Sequence, residues 1–245
     1  MLDRELVEEV LRAARVRGGD FAEVFVEERS SVSIRLDDGK IEELTNGLDR
    51  GAGVRVARGT SFGYAFSNRL DRDALLDAAA AAAASIPDDG PGAVVDLRAA
   101  TPGVVHRASR PADAVPAADK VAWLREVDDA ARTFAPEVRQ VVASYGDSRQ
   151  RVLVATSDGR WVEELRPRIR MFVQVVAERD GIIQTGVHGP AALAGAEYVD
   201  ANPPASIALV AARRAVTMLD SIPAPAGETA AKAVPVAATT DSRSA

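Results

Sequence analysis

The sequence contains no cysteine, and this absence excludes several kinds of chemistry. A chain without thiols forms no disulfide, no thiolate zinc site and no cysteine nucleophile. Histidine is also scarce, since the 245 residues include two, His106 and His188. Neither belongs to an HExxH motif, in which two histidines one helical turn apart bind zinc. We therefore predict that both are exposed histidines of a loop or a strand end.

The sequence also lacks long hydrophobic runs and an excess of positive charge. No apolar stretch approaches the roughly 20 residues that a membrane-spanning helix needs. The chain is charged from Asp3 onward, so its first residues do not resemble a signal peptide. The formal net charge is −6, whereas binding to nucleic-acid phosphates needs a clustered Lys/Arg surface. These features predict a cytoplasmic protein that binds neither membranes nor nucleic acids.

Two glycine-containing segments come close to phosphate-binding motifs without completing them. Residues 49–59 include Gly51 and Gly53, but a third glycine is missing at the spacing of the dinucleotide fingerprint, and no helix is expected to follow. A turn that leads into a strand is the better interpretation. Gly39-Lys40 lacks the upstream glycine of a phosphate-binding loop. A Ser-His-Asp site is not predicted either.

Adjacent acidic residues are the remaining candidates for acid–base chemistry or for a hard cation. The pairs are Glu27-Glu28, Asp37-Asp38, Glu42-Glu43 and Glu163-Glu164. All are expected at strand ends and hairpin turns, where solvated charges that discourage edge pairing are the simpler explanation. Arg213-Arg214 is likewise interpreted as a solvent-facing pair of the last helix. From the residues alone, we predict no catalytic, cofactor-binding or metal-binding residue.

Apolar periodicity predicts one arrangement of helices and strands that occurs twice. The first copy has a helix at 3–17, strands at 21–29, 32–36, 41–44, 53–59 and 61–67, and a helix at 72–86. The second has a helix at 119–134, strands at 137–147, 151–157, 161–165, 168–180 and 181–189, and a helix at 205–220. Each copy contains an Asp-Gly turn, the strongest local signal for a β-hairpin. Asp71 is predicted to cap the helix at 72–86. The apolar face of the helix at 3–17 is predicted to be Val7, Val10, Leu11 and Ala14, and that of the helix at 119–134 to be Trp123, Val127, Ala130 and Phe134.

This repetition predicts an α+β fold. A duplicated helix–β-hairpin–strands–helix unit forms mostly antiparallel sheet with helices packed on one face. We assign residues 1–86 to the first unit and 119–228 to the second. Residues 87–118 hold five prolines and are predicted to be a connection with one or two short extended pieces. Residues 229–245 are predicted to be a divergent, disordered tail.

Three stretches resemble the N-terminal half of the TldD/PmbA family, also called modulators of DNA gyrase. They are GGDFAEVFVEERSSVSIRLDDGKIEELTNGLDRGAGVRV (18–56), GYAFSNRLDRDALLDAA (63–79) and MLDSIPAPAGE (218–228). The first stretch is long and specific, and its sequence is closer to TldD than to PmbA. The resemblance runs from about residue 3 to residue 228, which corresponds to about half of a family member.

The resemblance implies a zinc metallopeptidase that degrades unfolded peptides or small proteins. TldD-type members carry an HExxxH helix, whose histidines bind zinc and whose glutamate takes a proton from the metal-bound water. In the family this helix follows the segment that PAPAGE (223–228) resembles. Here residues 229–245 stand in its place and include no histidine. No catalytic, cofactor-binding or metal-binding residue can be transferred, and zinc is expected only in the full-length family member.

Three interpretations remain open. The chain is the N-terminal domain of a TldD-like peptidase, truncated before the HExxxH motif by a frameshift or premature stop and inactive alone. In this role it shapes the substrate chamber and the dimer interface, with a PmbA-type subunit or a second copy as partner and an unfolded peptide as substrate. Alternatively, it is a non-catalytic interaction module that pairs with a PmbA-type subunit. It is otherwise a non-functional frameshift fragment.

Overall fold

The computed structural model describes residues 2–87, 90, 96–103 and 105–222. The tail predicted at 229–245 lies outside this range. The strands are β1 (Phe21–Asp37), β2 (Lys40–Arg58), β3 (Ser61–Ser67), β4 (Arg98–Ala99), β5 (Val138–Thr156), β6 (Arg160–Arg179), β7 (Ile182–His188) and β8 (Ala191–Ala192). The α-helices are α1 (Arg4–Ala14), α2 (Arg72–Ala84), α3 (Ala117–Phe134), α4 (Glu197–Ala201) and α5 (Pro204–Leu219). Among these helices none is both long and apolar enough to cross a bilayer.

The predicted α+β fold is confirmed. The sheet has the order β3-β2-β1-β5-β6, and β4, β7 and β8 lie along the outer edge of β6. Two long hairpins, β1–β2 and β5–β6, are joined because β1 pairs with β5 in antiparallel register from Glu23 to Asp37. The boundaries assigned to two units at 1–86 and 119–228 stay a prediction.

The strands are longer than the sequence predicted. Where strands 21–29 and 32–36 were expected, β1 runs without a break. Ser30 and Ser31, which suggested the break, pair with neighbours on both sides of the strand, so the backbone stays extended through them. The strands predicted separately within β2, β5 and β6 are fused in the same way. The turn expected within 49–59 as the entry to a strand is therefore wrong, because residues 49–58 lie inside β2.

The two Asp-Gly turns that the sequence predicted, at Asp38-Gly39 and Asp158-Gly159, connect the strands of the two long hairpins. Asp38 and Gly39 connect β1 to β2 with φ angles of 49° and 79°. Positive φ at both central residues is the requirement of the tight turn that matches the twist of paired strands. Between β5 and β6, Gly159 has φ 95°, a conformation that only glycine adopts at little cost.

The helices pack on one face of the sheet, as predicted. On β1, Ala22, Val24 and Val26 at one end and Ile34 and Leu36 at the other are all buried and separated by even intervals. Because side chains alternate between faces along a strand, these residues share one face. We call this the helix face and the opposite side the open face.

The helix face carries two separate apolar cores, one at each end of the long strands. Helices α1 and α2 cover the first core, in which the face predicted for α1 is confirmed by Val7, Val10, Leu11 and Ala14. Helices α3, α4 and α5 cover the second core. The division follows from the strand length, since one helix layer cannot cover strands of 17–20 residues.

The face predicted for α3 is wrong by about one residue. Trp123, Ala130 and Phe134 were expected to be buried, yet they are only half-buried. The fully buried apolar positions are instead centred on Leu124 and Ala131. The difference arises because two charged side chains, Lys120 and Asp128, also lie on the buried face. A pattern of apolar letters alone assigns such residues to the solvent side.

The connection between the two cores has the predicted short extended piece, β4. It pairs with the start of β6 in parallel register, at Arg98↔Arg160 and Ala99↔Trp161. A single 3-10 turn follows at Ala112–Ala114, shortly before α3. Much of the rest of the described connection is irregular.

Two glycines let alanine-rich helices approach the sheet very closely. A Cβ atom at Gly186 of β7 would lie 2.1 Å from the Ala211 carbonyl oxygen and 2.4 Å from the Ala215 nitrogen of α5. At Gly63 of β3 it would lie 2.0 Å from the Ala82 oxygen of α2. These neighbours are helix backbone, which cannot rotate away as a side chain does.

We expect G186A to lower the free energy of unfolding by about 1–3 kcal/mol, because the added methyl overpacks the contact. Urea denaturation measures this change. G103A is the matched control, since a Cβ at Gly103 meets nothing within 4 Å. The control should stay within about 0.5 kcal/mol of the wild-type value. Equal stability of G186A and G103A would contradict the close helix–sheet contact.

Candidate functional site

A polar band crosses the helix face between the two cores. Ser30, Arg149 and Pro167 form one row of it, in register across β1, β5 and β6. Side chains on this face are apolar at both strand ends, so the change to polar residues is confined to the middle. The first turn of α3 and the connection that precedes it border the band. It is the best candidate on this face for binding or catalysis.

A buried ion pair lies at the centre of the band. Lys120 of α3 donates from Nζ to Oδ2 of Asp147 over 2.6 Å, and the two side chains are 3% and 5% exposed. The ammonium group also lies 5.4 Å from the centroid of the Tyr145 ring. Removing two charges from water is costly, and close pairing offsets that cost. Lys120 is one of the two charged residues on the buried face of α3, and this is why the buried face differs from the apolar face that the sequence predicted.

The neighbouring Tyr145 remains protonated under ordinary conditions. Burial raises the pKa of its phenol far above the usual value, and the nearby Asp147 carboxylate raises it further. Trp123 packs against the ring with centroids 5.6 Å apart. The phenol therefore provides neither a base nor a nucleophile near neutral pH, and the cluster is better suited to holding α3 on the sheet than to catalysis.

A second buried charge holds the other side of α3. Asp128 accepts from Arg132 at 3.0 Å, and Arg132 also pairs with Asp38 in the β1–β2 turn. The Asp128 carboxylate is the main cause of the raised pKa of Arg132. Asp38 is the exposed turn residue that the sequence predicted, and it also links the turn to a helix. This contact depends on tertiary packing that no local pattern records.

A slot lies beside the polar band, between β6 and the connection. β4 pairs with β6 up to Trp161, and β8 begins to pair at Ile169, so residues 162–168 have a partner strand on one side only among the described residues. Pro167 within this stretch is typical of an edge position. A space of about 370 Å³ separates the edge from Pro102 and from residues 105–113 of the connection. Its apolar lining includes Val105 and Leu165.

Both histidines lie where the sequence placed them, although both are half-buried rather than exposed. His106 is in the irregular connection and lines the slot. His188 ends β7, and burial, with the positive charge of Arg214, lowers its pKa. One belongs to the connection and the other to β7, and they do not converge on one site.

The acidic pairs do not form a carboxylate site. Glu27-Glu28 lie in the middle of β1, not at a strand end as predicted, whereas Glu163-Glu164 lie near the start of β6. Adjacent residues of a strand point to opposite faces, so the two carboxylates of such a pair diverge. Arg166 holds Glu164 at 2.6 Å and lowers its pKa, while Gln150 donates to Glu27 over 2.6 Å. These acids are bound to neighbours within the sheet.

No group of three or more histidine, aspartate or glutamate side chains that could hold a metal occurs in the described residues. The donor set of a zinc peptidase, with two histidines and a further ligand, is therefore not assembled by this part of the chain. The donors that exist are separated or already bound to arginine and glutamine side chains.

Two further sequence signals are a G-x-S-x-G match and the arginine pair of the last helix. Residues 59–63, GTSFG, match the G-x-S-x-G pattern of a nucleophile elbow, although no such elbow was predicted. They span the turn between β2 and β3 and the start of β3, whereas a nucleophile elbow needs a strand followed by a helix. Arg213 and Arg214 are both exposed, as predicted for the arginine pair. Arg214 also donates to the Val187 carbonyl of β7 over 2.5 Å.

Comparison with known proteins gives a consistent family assignment. Residues 22–86 match the model for the PmbA/TldA metallopeptidase domain 1, and residues 110–219 match that for the PmbA/TldA metallopeptidase central domain. Together the matches cover more than two thirds of the chain.

The relatives found by sequence are metalloproteases. A metalloprotease TldD homolog of Haemophilus influenzae is 29% identical over 219 residues, which are 86% of this chain and 45% of the relative. A metalloprotease of Methanothermobacter thermautotrophicus is 28% identical, over 85% of this chain and 45% of the relative. The chain thus spans about half the length of the curated relatives that it matches.

Solved structures share the fold at lower sequence identity. A Thermotoga maritima protein proposed to modulate a DNA gyrase superposes with a TM-score of 0.74 at 17% identity, over 91% of this chain and 50% of that chain. TldE from Thermococcus kodakarensis superposes with a TM-score of 0.66 at 17% identity, over 86% and 47%.

The buried ion pair has a measurable role in stability. We expect K120M to lower the free energy of unfolding by about 3–5 kcal/mol, because it leaves the Asp147 carboxylate buried without its partner. The double variant K120M/D147L should return to within about 1–2 kcal/mol of wild type, since no charge is then left unpaired. Chemical denaturation measures both.

The exposed pair of Arg139 and Glu178, 2.9 Å apart, supplies the control. R139M should change stability by less than about 1 kcal/mol, because an exposed pair contributes little. If K120M were as mild as R139M, the Lys120–Asp147 pair would not hold α3 on the sheet.

Proposed function

The chain belongs to the PmbA/TldD metallopeptidase family, and on that premise we propose that it serves as the N-terminal domain of a TldD-like zinc metallopeptidase in the cytoplasm. In this role the domain shapes the substrate chamber and the interface with a PmbA-type subunit or a second copy. The substrate is an unfolded peptide or small protein. Zinc is bound outside the described residues, in the half that full-length relatives have in addition, so this chain does not cleave peptides alone.

The open face supplies the observation that carries the proposal. On β3, Phe62, Tyr64 and Phe66 alternate on this face with exposures of 69%, 58% and 75%. Phe21 and Phe25 of β1 lie in register with Phe62 and Phe66 across β2. These five residues, the aromatic patch, make up nearly half of the aromatic residues in the chain. Phe21 and Phe25 are half-buried beside the exposed row of β3, and an exposed aromatic row of this kind is typical of a protein interaction site.

The backbone beneath the aromatic patch is shaped for these side chains. The Tyr64 ring leans over Gly53, where a Cβ atom would lie 2.7 Å from the phenol oxygen. Tyr64 and Phe66 stack with ring centroids 6.4 Å apart. The rings are thereby held in place before any partner binds, which reduces the entropy lost on association.

Free strand edges support the substrate part of the proposal. The slot beside residues 162–168 offers unpaired backbone and an apolar wall to a chain in extended conformation. β3 pairs only with residues 52–58 of β2, so residues 40–51 form a second free edge among the described strands. An unfolded peptide can add to such an edge through backbone hydrogen bonds without sequence preference.

The same surfaces suit a non-catalytic interaction module that pairs with a PmbA-type subunit. The aromatic patch supports this second function as well as the first, because both functions require a surface that binds a PmbA-type subunit. The two functions differ in what the partner does. In the first, the complex presents an extended peptide to a zinc site, and in the second, binding alone changes the activity of the partner.

The aromatic patch is the place to test the interface. We expect F62S/F66S to weaken the complex with a PmbA-type subunit by about tenfold or more, because buried aromatic anchors dominate binding energies. Sedimentation velocity with purified components measures the complex. V16S/L209S is the matched control, because Val16 and Leu209 are also exposed apolar residues and neither lies on the open face.

The control should bind as the wild type does. The proposal is wrong if the wild-type chain remains monomeric at micromolar concentration, or if F62S/F66S and V16S/L209S bind alike. It is also wrong if the chain alone, supplied with zinc, cleaves unstructured peptides and a chelator stops the reaction.

A further inference from the structure

A groove of about 720 Å³ lies on the open face, in the middle of the sheet. Its floor consists of small residues in two rows that cross β1, β5 and β6 in register. The rows are Ser31–Ser148–Arg168 and Ser33–Gly146–Arg170. Because serine and glycine hardly rise above the backbone, the flanking arginines form a wall of the groove. We call this site the arginine groove.

The opposite wall includes Arg29 of β1. Arg29 lies in register with Gln150, which in turn lies in register with Arg166. Three arginines, Arg29, Arg168 and Arg170, thus line the arginine groove, and all are exposed to solvent. The one acidic residue in the lining is Asp147, whose carboxylate pairs with Lys120 on the helix face. The groove therefore has an excess of positive charge in a chain whose net charge is −6.

The surrounding hydrogen bonds leave two of these cations free. Arg168 donates to Oε1 of Gln150 over 3.1 Å, and Gln150 donates to Glu27 over 2.6 Å. Arg29 and Arg170 have no hydrogen-bond or ion-pair partner among the described residues. Asp49 stands in register with Arg29 on β2, but no ion pair within 4.0 Å forms between them. Guanidinium groups without partners are available to an external anion.

The spacing of the arginines indicates an extended ligand. Arg168 and Arg170 are two residues apart on one strand, so their Cα atoms are separated by about 6.6 Å. Side chains at alternate positions of an extended peptide have the same separation and point to the same side. The two side chains lean toward β5, since Arg168 reaches Gln150 and Arg170 lies over Gly146. A peptide lying along the groove therefore has alternate side chains at the spacing of these two arginines. Serine hydroxyls on the floor provide further donors to carboxylate oxygens.

We propose that the arginine groove binds an extended peptide segment with carboxylate side chains at alternate positions. The carboxylates contact Arg29, Arg168 and Arg170 through charge-assisted hydrogen bonds. This binding rests on the proposed function in so far as an unfolded peptide is the substrate. It adds a preference for acidic segments, and it gives them a binding place on the face of the sheet in addition to the free strand edges.

The test is direct binding to the chain by itself, followed by fluorescence anisotropy. The probe is a short, labelled, unstructured peptide of alternating glutamate and serine, and the comparison peptide has glutamine in place of each glutamate. The acidic probe should bind about tenfold more tightly than the glutamine peptide, because two or more charge-assisted bonds are lost in the latter. Added salt should reduce the difference.

The variant R29Q/R170Q should weaken binding of the acidic probe by about tenfold. Its matched control is R125Q/R213Q, which removes the same charge from exposed arginines on α3 and α5, on the other side of the sheet. The control should change the affinity by less than about twofold, as distant surface charges are screened by salt. Circular dichroism confirms that both variants are folded.

The proposal is overturned if the acidic and glutamine peptides bind equally. It is also overturned if R29Q/R170Q binds the acidic probe as the wild type does, or if R125Q/R213Q weakens binding as much. Partner association through the aromatic patch is measured separately with F62S/F66S. Peptide binding by the arginine groove can therefore be disproved while partner association through the aromatic patch is confirmed. Likewise, partner association can be disproved while peptide binding is confirmed.

Discussion

The antiparallel pairing of β1 with β5 is the contact on which the rest of the structure depends. It joins two hairpins that would otherwise be separate sheets, and it holds from Glu23↔Thr156 to Asp37↔Val142 without a shift in register. A shift of one residue would turn every side chain of one hairpin to the other face. Both cores, the polar band and the arginine groove use residues from β1 and β5, so all four require this one register.

The two faces of the sheet have different physical tasks. The helix face is apolar at both ends, and its polar middle is held by the buried contact between Lys120 and Asp147. The open face has the same order, since aromatic residues of β3 lie at one edge and Ile183 and Val187 of β7 at the other, but these apolar residues are exposed rather than covered by helices. Its middle carries serines and arginines. Stability therefore depends mainly on one face, which leaves the other available for binding.

Features determined by neighbours in the chain could be predicted from the sequence. The buried face of α1, the turn at Asp38-Gly39 and the cap at Asp71, which accepts from the Ala74 nitrogen at 3.1 Å, all follow from local patterns. The resemblance to the TldD/PmbA family also rests on such local stretches. It agrees with the domain matches and with the fold of the solved relatives.

Features that arise from pairing across strands could not be predicted. Ser30 and Ser31 suggested a break in the first strand. They lie within a continuous strand because the residues paired with them on β5, Arg149 and Ser148, are also polar, and a single sequence does not show this pairing. The buried side of α3 was displaced because Lys120 has a partner 27 positions away in Asp147. The arginine groove likewise needs residues from three strands in one register, and no segment of the chain contains its pattern.

The close approach at Gly186 has a mechanical consequence. A strand usually meets a helix through a layer of side chains, which can rearrange and absorb a displacement. At Gly186 the backbone of β7 lies directly against the backbone of α5 at Ala211 and Ala215. A force on the exposed side of β7 is therefore transmitted to α5 directly, without side chains between them that could rearrange. The strand and the helix move together as one rigid unit.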